Sequence, residues 1–151
     1  MQSIASIITK LKANYPRFSF LQSDNFWWSP SENTIHYNAK VKDSAALLIH
    51  ELSHALLGHK GCTSDVKLIT MERQAWDYAS KIAPFYDIKI TNKIIQQNLD
   101  SYRDWIYRRS TCPKCSAIGL QDKKNIYKCL ACNNKWQVNQ AKECKLRRYS
   151  I

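Results

Sequence analysis

The run Leu47 to His59, LLIHELSHALLGH, constrains this chain more than any other, because it sets two histidines four residues apart inside a stretch that is otherwise almost wholly apolar. On a helix of 3.6 residues per turn, His50 and His54 stand one above the other, about 5–6 Å apart at Cβ, so both imidazoles can reach one ion. Glu51, rotated about 100° from His50, flanks that ion without having to coordinate it. This is the geometry of the H-E-x-x-H zinc helix, in which the glutamate serves as general base toward a water activated by the metal. The surrounding residues, Ala45 to Leu57, are mostly good helix formers. A helix so apolar is buried on most sides, with Asp43 or Ser44 placed to cap its start and Gly58 or Gly61 to end it. Histidines in the wall of a core are costly to bury without a partner, and a metal is such a partner.

Two histidines do not complete such a site, since catalytic zinc takes three protein ligands and keeps a fourth position open. Downstream, TMERQAWDYASKIAPFY sets Met71, Ala75, Tyr78, Ala79 and Ile82 on one helical face, with Glu72 at its border. A loop followed by an antiparallel helix would return Glu72 to the histidines, 18 and 22 positions earlier. Asp65 and Asp77 are alternatives. His59 is a weaker one, lying five residues past His54 and off the ligand face.

HELSHALLGH followed by ERQAWDYA resembles the ImmA/IrrE family of zinc metallopeptidases, whose pattern is H-E-L-x-H and then a second helix carrying E-x-x-A-x-x-F/Y-A. The matching positions are His50, Glu51, Leu52 and His54, then Glu72, Ala75, Tyr78 and Ala79, and the likeness spans about residues 35 to 85. The resemblance implies a gluzincin-like endopeptidase with Glu72 as third zinc ligand. It also implies a substrate among nucleic-acid-associated proteins such as a repressor.

The C-terminal part departs from that family. Cys112-x2-Cys115 and Cys129-x2-Cys132, thirteen residues apart, read as a four-cysteine ribbon in which each pair gives two thiolates to one tetrahedral Zn²⁺. Disulfides would need an oxidising compartment. The opening MQSIASIITKLKANYP lacks the unbroken apolar core of a signal peptide, and no run of eighteen apolar residues exists. The expectation is therefore a soluble, cytoplasmic, monomeric chain without a membrane partner. Cys62 and Cys144 fall outside both sites and read as free thiols. A zincin followed by such a ribbon is similar to the SprT-like proteases, which are associated with DNA and DNA–protein crosslinks. Those proteins use a third histidine after H-E-x-x-H, and no equivalent lies beyond His59.

Charge distinguishes the two parts. Residues 110–151 hold nine Lys/Arg against two Asp/Glu, a net of +7, whereas residues 1–109 hold fourteen against ten, a net of +4. Within the tail, Lys123, Lys124, Lys128, Lys135, Arg147 and Arg148 are interleaved with Tyr127, Trp136 and Tyr149, a mixture suited to phosphate contacts and base stacking on DNA or RNA.

Elsewhere, Ser3 to Ala13 reads as an amphipathic helix with Ile4, Ile7, Ile8 and Leu11 inward. RFSFLQS and NTIHYNA read as strands, with SPSEN a turn before the second. Trp27, Trp28, His36 and Tyr37 belong either to a substrate cleft or to hairpin packing. A last helix runs from a Thr91 cap to about Arg109, with Ile94, Ile95, Leu99, Tyr102, Trp105 and Ile106 inward, and RRST links it to the ribbon.

The expected architecture is α+β: a minimal zincin-like metalloprotease domain over residues 1–109 and a basic zinc ribbon over 110–151. It takes one catalytic Zn²⁺ on His50, His54 and Glu72, with Glu51 as base, and one structural Zn²⁺ on the four cysteines. His36, Tyr37, Tyr78 and Tyr86 are the candidates for stabilising an oxyanion. Beside this stand two other readings: an SprT-like protease acting on DNA–protein crosslinks, and a DNA-binding regulator that keeps the zincin fold without proteolysis. Glu51 separates the last from the others, because a scaffold has no need of a carboxylate beside an open zinc position.

Overall fold

A computed structural model describes residues 2–140, 142 and 145–151; Cys144 lies outside the described residues. The chain is mixed α+β, with four α-helices and two sheets among the described residues. It divides into two compact units, one formed by the chain up to Gly61 together with Met71–Gln96, the other by Cys62–Thr70 together with the chain from Gln97. This division differs from a boundary after residue 109 in two segments, Cys62–Thr70 and Gln97–Arg109, which cluster with the ribbon. Among the described residues, no helix is long and apolar enough to cross a membrane.

The first unit opens with α1, Ile4–Asn14, capped by the Ser3 hydroxyl accepting the Ser6 N–H at 3.2 Å, with Ile7, Ile8 and Leu11 buried. Three short strands follow: β1 Ser19–Gln22, β2 Trp27–Ser29 and β3 Thr34–Tyr37. The order is β1-β3-β2, with β1 parallel and β2 antiparallel to the central β3. The register sets Phe20 and Trp28 on either side of Ile35, which is fully buried, so these three share the inner face. On that face lies α2, Ser44–Leu56, whose Leu48, Ile49 and Leu52 are completely buried. Asp43 stands at its N-terminus in a left-handed conformation and its side chain makes no capping bond.

The helix α3, Asp65–Ile82, and the helix α4, Asn92–Ser110, each contribute to both units. Thr91 caps α4 as expected, its hydroxyl accepting the Ile94 N–H at 3.3 Å.

The second unit contains a four-stranded antiparallel sheet in chain order, β4 Leu120–Lys123, β5 Ile126–Lys128, β6 Lys135–Val138 and β7 Arg148–Ser150. Its core is small: Tyr127, Trp136 and Val138 packed with Cys112 and Cys129. Gly119 is required here, because a Cβ at that position would stand 2.4 Å from the Trp136 ring. RRST is more than a link, since Arg109 is buried, donates to the Tyr127 hydroxyl at 3.0 Å and to Asn125 Oδ1 at 2.7 Å, and lies over the Trp105 ring. Asp65 neutralises it at 3.7 Å and accepts the Tyr127 hydroxyl.

Candidate metal centres

The apolar pattern of α2 fixes which of its polar side chains face inward. His50 and His54, four residues apart, are both buried and project from one face, their Nε2 atoms 3.1 Å apart. Glu72 on α3 completes the group, with Oε2 3.1 Å from His50 Nε2 and Oε1 3.3 Å from His54 Nε2. Donors around a tetrahedral zinc with bonds of about 2.0–2.1 Å stand about 3.3–3.4 Å apart, and the two Nε2 atoms and the two carboxylate oxygens facing them are spaced close to that value. The group is positioned to bind a metal. Of the alternatives for third ligand, Asp65 is engaged with Tyr127 and Arg109 in the other unit, and Asp77 is exposed.

The electrostatics of the group follow from burial and proximity. Burial alone would push the Glu72 carboxyl up, but hydrogen bonds from His50 and His54 hold it well below the usual carboxylate range. Burial opposes protonation of His54, yet the Glu72 carboxylate raises its imidazole above the ordinary value, with Glu51 adding to the effect. Glu51 is not part of the cluster. Burial pushes its carboxyl up, while the neighbouring His50 and His54 and a backbone N–H from Trp28 pull the other way.

Two further residues, Trp76 and His59, support the ligands. Trp76, one helical turn after Glu72 and almost fully buried, stacks on the His50 ring at 4.2 Å and 19°. The signal for it was present, because a residue four positions past a ligand on α3 must face the same way. His59 is not a ligand. Its Nδ1 lies 2.8 Å from His54 Nδ1, behind the coordinating edge, and burial and the nearby His54 lower its pKa.

The second centre is built on turns. Ser116 and Asn133, each directly after a C-x-x-C pair, are left-handed at φ 66° and φ 60°. Their amides bond back to the carbonyls of Cys112 and Cys129 at 2.9 and 3.0 Å, so the two knuckles repeat one geometry. Cys112 Sγ lies 3.7 Å from Cys132 Sγ, and Cys115 Sγ 3.5 Å from Cys129 Sγ. Those separations are far from a disulfide bond and close to the roughly 3.8 Å between sulfurs bound tetrahedrally to zinc at about 2.3 Å. Burial opposes ionisation of Cys112, but the backbone N–H groups of Cys115 and Lys114 draw its thiol down to about 6. Cys62 is a half-buried free cysteine whose thiol is raised by burial.

The expected nucleic-acid residues divide. Lys123, Lys124, Lys128, Arg147 and Arg148 are exposed, and Lys135 is paired with Asp122 at 2.9 Å. Trp136 is corrected: it is completely buried in the ribbon core and donates its indole N–H to the Arg109 carbonyl at 2.9 Å, so it offers no face to a base. Tyr127 is buried likewise, while Tyr149 is exposed. His36 lies on the opposite face of β3 from Ile35, stacked with Trp27 at 3.8 Å, and Tyr86 accepts a hydrogen bond from Asn14 at 2.8 Å.

Compared with models of protein families, with curated proteins and with solved structures, the chain gives no match.

Proposed function

We propose that this chain is a zinc-dependent endopeptidase that hydrolyses peptide bonds in nucleic-acid-associated proteins, a repressor being the kind of substrate its sequence resemblance implies. The observation that carries the reading is the combination of three donors spaced for one ion with a fourth group, Glu51, next to the ligand His50 and outside the cluster. Two imidazoles and a carboxylate suit zinc, and when bound it supplies a Lewis-acid position that polarises a carbonyl and lowers the pKa of a coordinated water to about 7.

The chain's own residues supply the rest. Glu51 takes the proton of the attacking water and returns it to the leaving amine, and its burial makes it a stronger base than a surface carboxylate. The Trp28 backbone N–H lies near enough to that carboxylate to favour its charged form. Because Trp28 lies on β2, an edge strand, a peptide laid along this strand as an added one would pass Glu51. With His36 on the face of β3 opposite Ile35 and Tyr86 bonded to Asn14, Tyr37 and Tyr78 remain as candidates for the oxyanion.

The exposed Lys123, Lys124, Lys128, Arg147 and Arg148, with Tyr149 beside them in sequence, support a nucleic-acid contact through the ribbon. A chain held on DNA or RNA in this way would meet proteins bound or crosslinked there at raised effective concentration. A non-proteolytic DNA-binding regulator would leave Glu51 without a task.

Purified Glu51→Gln protein should bind the same metals as the wild type and lose cleavage of an unfolded protein by about 10²–10⁴-fold, the usual contribution of a general base. Undiminished proteolysis would remove this mechanism.

A further inference from the structure

The end of α2 is shaped by Gly58, whose φ of +67° is the left-handed conformation that glycine adopts at no steric cost. The His59 N–H bonds to the His54 carbonyl at 3.0 Å and the Gly58 N–H to the Ala55 carbonyl at 3.1 Å. This pair of bonds is a Schellman cap, in which the residue after the left-handed one folds back over the last helical turn. An apolar contact ordinarily closes that fold-back. Here a hydrogen bond closes it instead, from ring to ring, with Nδ1 of His54 and Nδ1 of His59 2.8 Å apart. His59 is fixed from a second side, because its carbonyl accepts the Trp28 indole N–H at 3.1 Å.

The chemistry of imidazole gives this contact a meaning. A neutral ring has one N–H and one lone pair, so His54 offers Nε2 to a metal only when Nδ1 carries the proton. That proton needs an acceptor, and the partner set is usually a carboxylate, a backbone carbonyl or water. His59 Nδ1 occupies that place. Its own proton then belongs on Nε2. Among the described residues His50 has no such partner: its Nδ1 is buried and unpaired, and stacking on Trp76 orients the ring in place of a hydrogen bond.

We infer that His59 is a positioning residue for the metal centre, delivered to His54 by the helix cap and holding its ring in the tautomer that presents Nε2. The inference rests on His50, His54 and Glu72 binding a metal. Two features of the sequence, a glycine four residues after the second histidine of the motif and a histidine directly after that glycine, encode it together.

The test is a zinc-affinity measurement by chelator competition on the full chain, with the four-cysteine zinc as internal reference. His59→Leu should weaken the other site by about 10–100-fold, as loss of an outer partner does at metal-binding histidines. His59→Asn should recover most of that loss, because its side-chain oxygen lies near the place of Nδ1. In zinc-loaded wild-type protein the His54 Nδ1 proton should be protected from exchange by nuclear magnetic resonance, and in His59→Leu it should exchange freely. Should His59→Leu not fold, His59→Ala carries the same comparison. Wild-type affinity in the leucine variant, or no recovery in the asparagine variant, would overturn the positioning role. A wild-type chain holding the ribbon zinc alone would overturn the metal-centre reading itself, and with it this inference.

Discussion

The ribbon presents four sulfurs to one point, whereas α2 and α3 present two imidazoles and one carboxylate. Four donors close a tetrahedral shell; three leave a place where something else can bind. The supports differ in the same sense. Cys112 and Cys129 belong to the small core around Trp136 and Cys132 packs against it, so a metal there would stand in for apolar contacts the unit lacks. His50 and His54 instead border Leu48, Ile49, Leu52, Ala75 and Trp76, all buried, so the helical unit has a core independent of its ligands. One centre builds structure, and the other is carried by structure.

The largest effect of removing a ligand is expected at the ribbon. Cys129→Ser should unfold it, since structural zinc contributes roughly 10–16 kcal/mol of apparent folding free energy in small domains. Circular dichroism should then show lost sheet with helix retained, and Trp136 fluorescence should shift to that of a solvated indole. A ribbon that keeps Trp136 buried would contradict the view that metal replaces its core.

A smaller effect is expected where the helical unit supports its ligands. Trp76→Ala removes both a buried ring and the surface against His50, and should cost about 3–5 kcal/mol in denaturant unfolding, the usual range for truncating a core aromatic. Trp76→Phe, which keeps a ring to stack on, should retain more of both stability and metal. Equal loss of metal in the two variants would show that stacking does not orient His50.

The smallest change concerns packing alone. Gly119→Ala places a methyl against Trp136 and the Lys128 carbonyl, and overpacking of this kind should cost about 1–3 kcal/mol while the metal count stays the same. An unchanged melting temperature would mean that the ribbon yields at this point.

The features legible in the sequence were those set by short spacing. His50 and His54 follow from a four-residue interval, and the two cysteine pairs from theirs, because a turn of helix or a knuckle fixes such distances locally. Glu72 needed more. Its approach depends on the chain reversing between α2 and α3, and periodicity alone left Asp65 and Asp77 open beside it. Asp65 proved to serve the ribbon, where Arg109 and Tyr127 surround it, a long-range partnership that no local pattern encodes. His59 was judged by its helical angle, but the helix has ended at Gly58 and the cap, not the helix, aims the side chain. The basic neighbours of Trp136 in sequence suggest an exposed stacking platform. In a strand alternate residues face opposite ways, so Trp136 points into the core while Lys128 and Gln137 face solvent. The sheet order β1-β3-β2 was likewise hidden, since the parallel pairing of β1 with β3 joins strands that are not consecutive.

The most direct measurement of the account is a metal count by native mass spectrometry on the full chain and on one variant of each centre. Two zinc ions are predicted for the wild type, one for Glu72→Ala with the ribbon ion retained, and one for Cys129→Ser with the helical ion retained. A single ion in the wild type, or two in Glu72→Ala, would contradict the division into a closed centre and an open one.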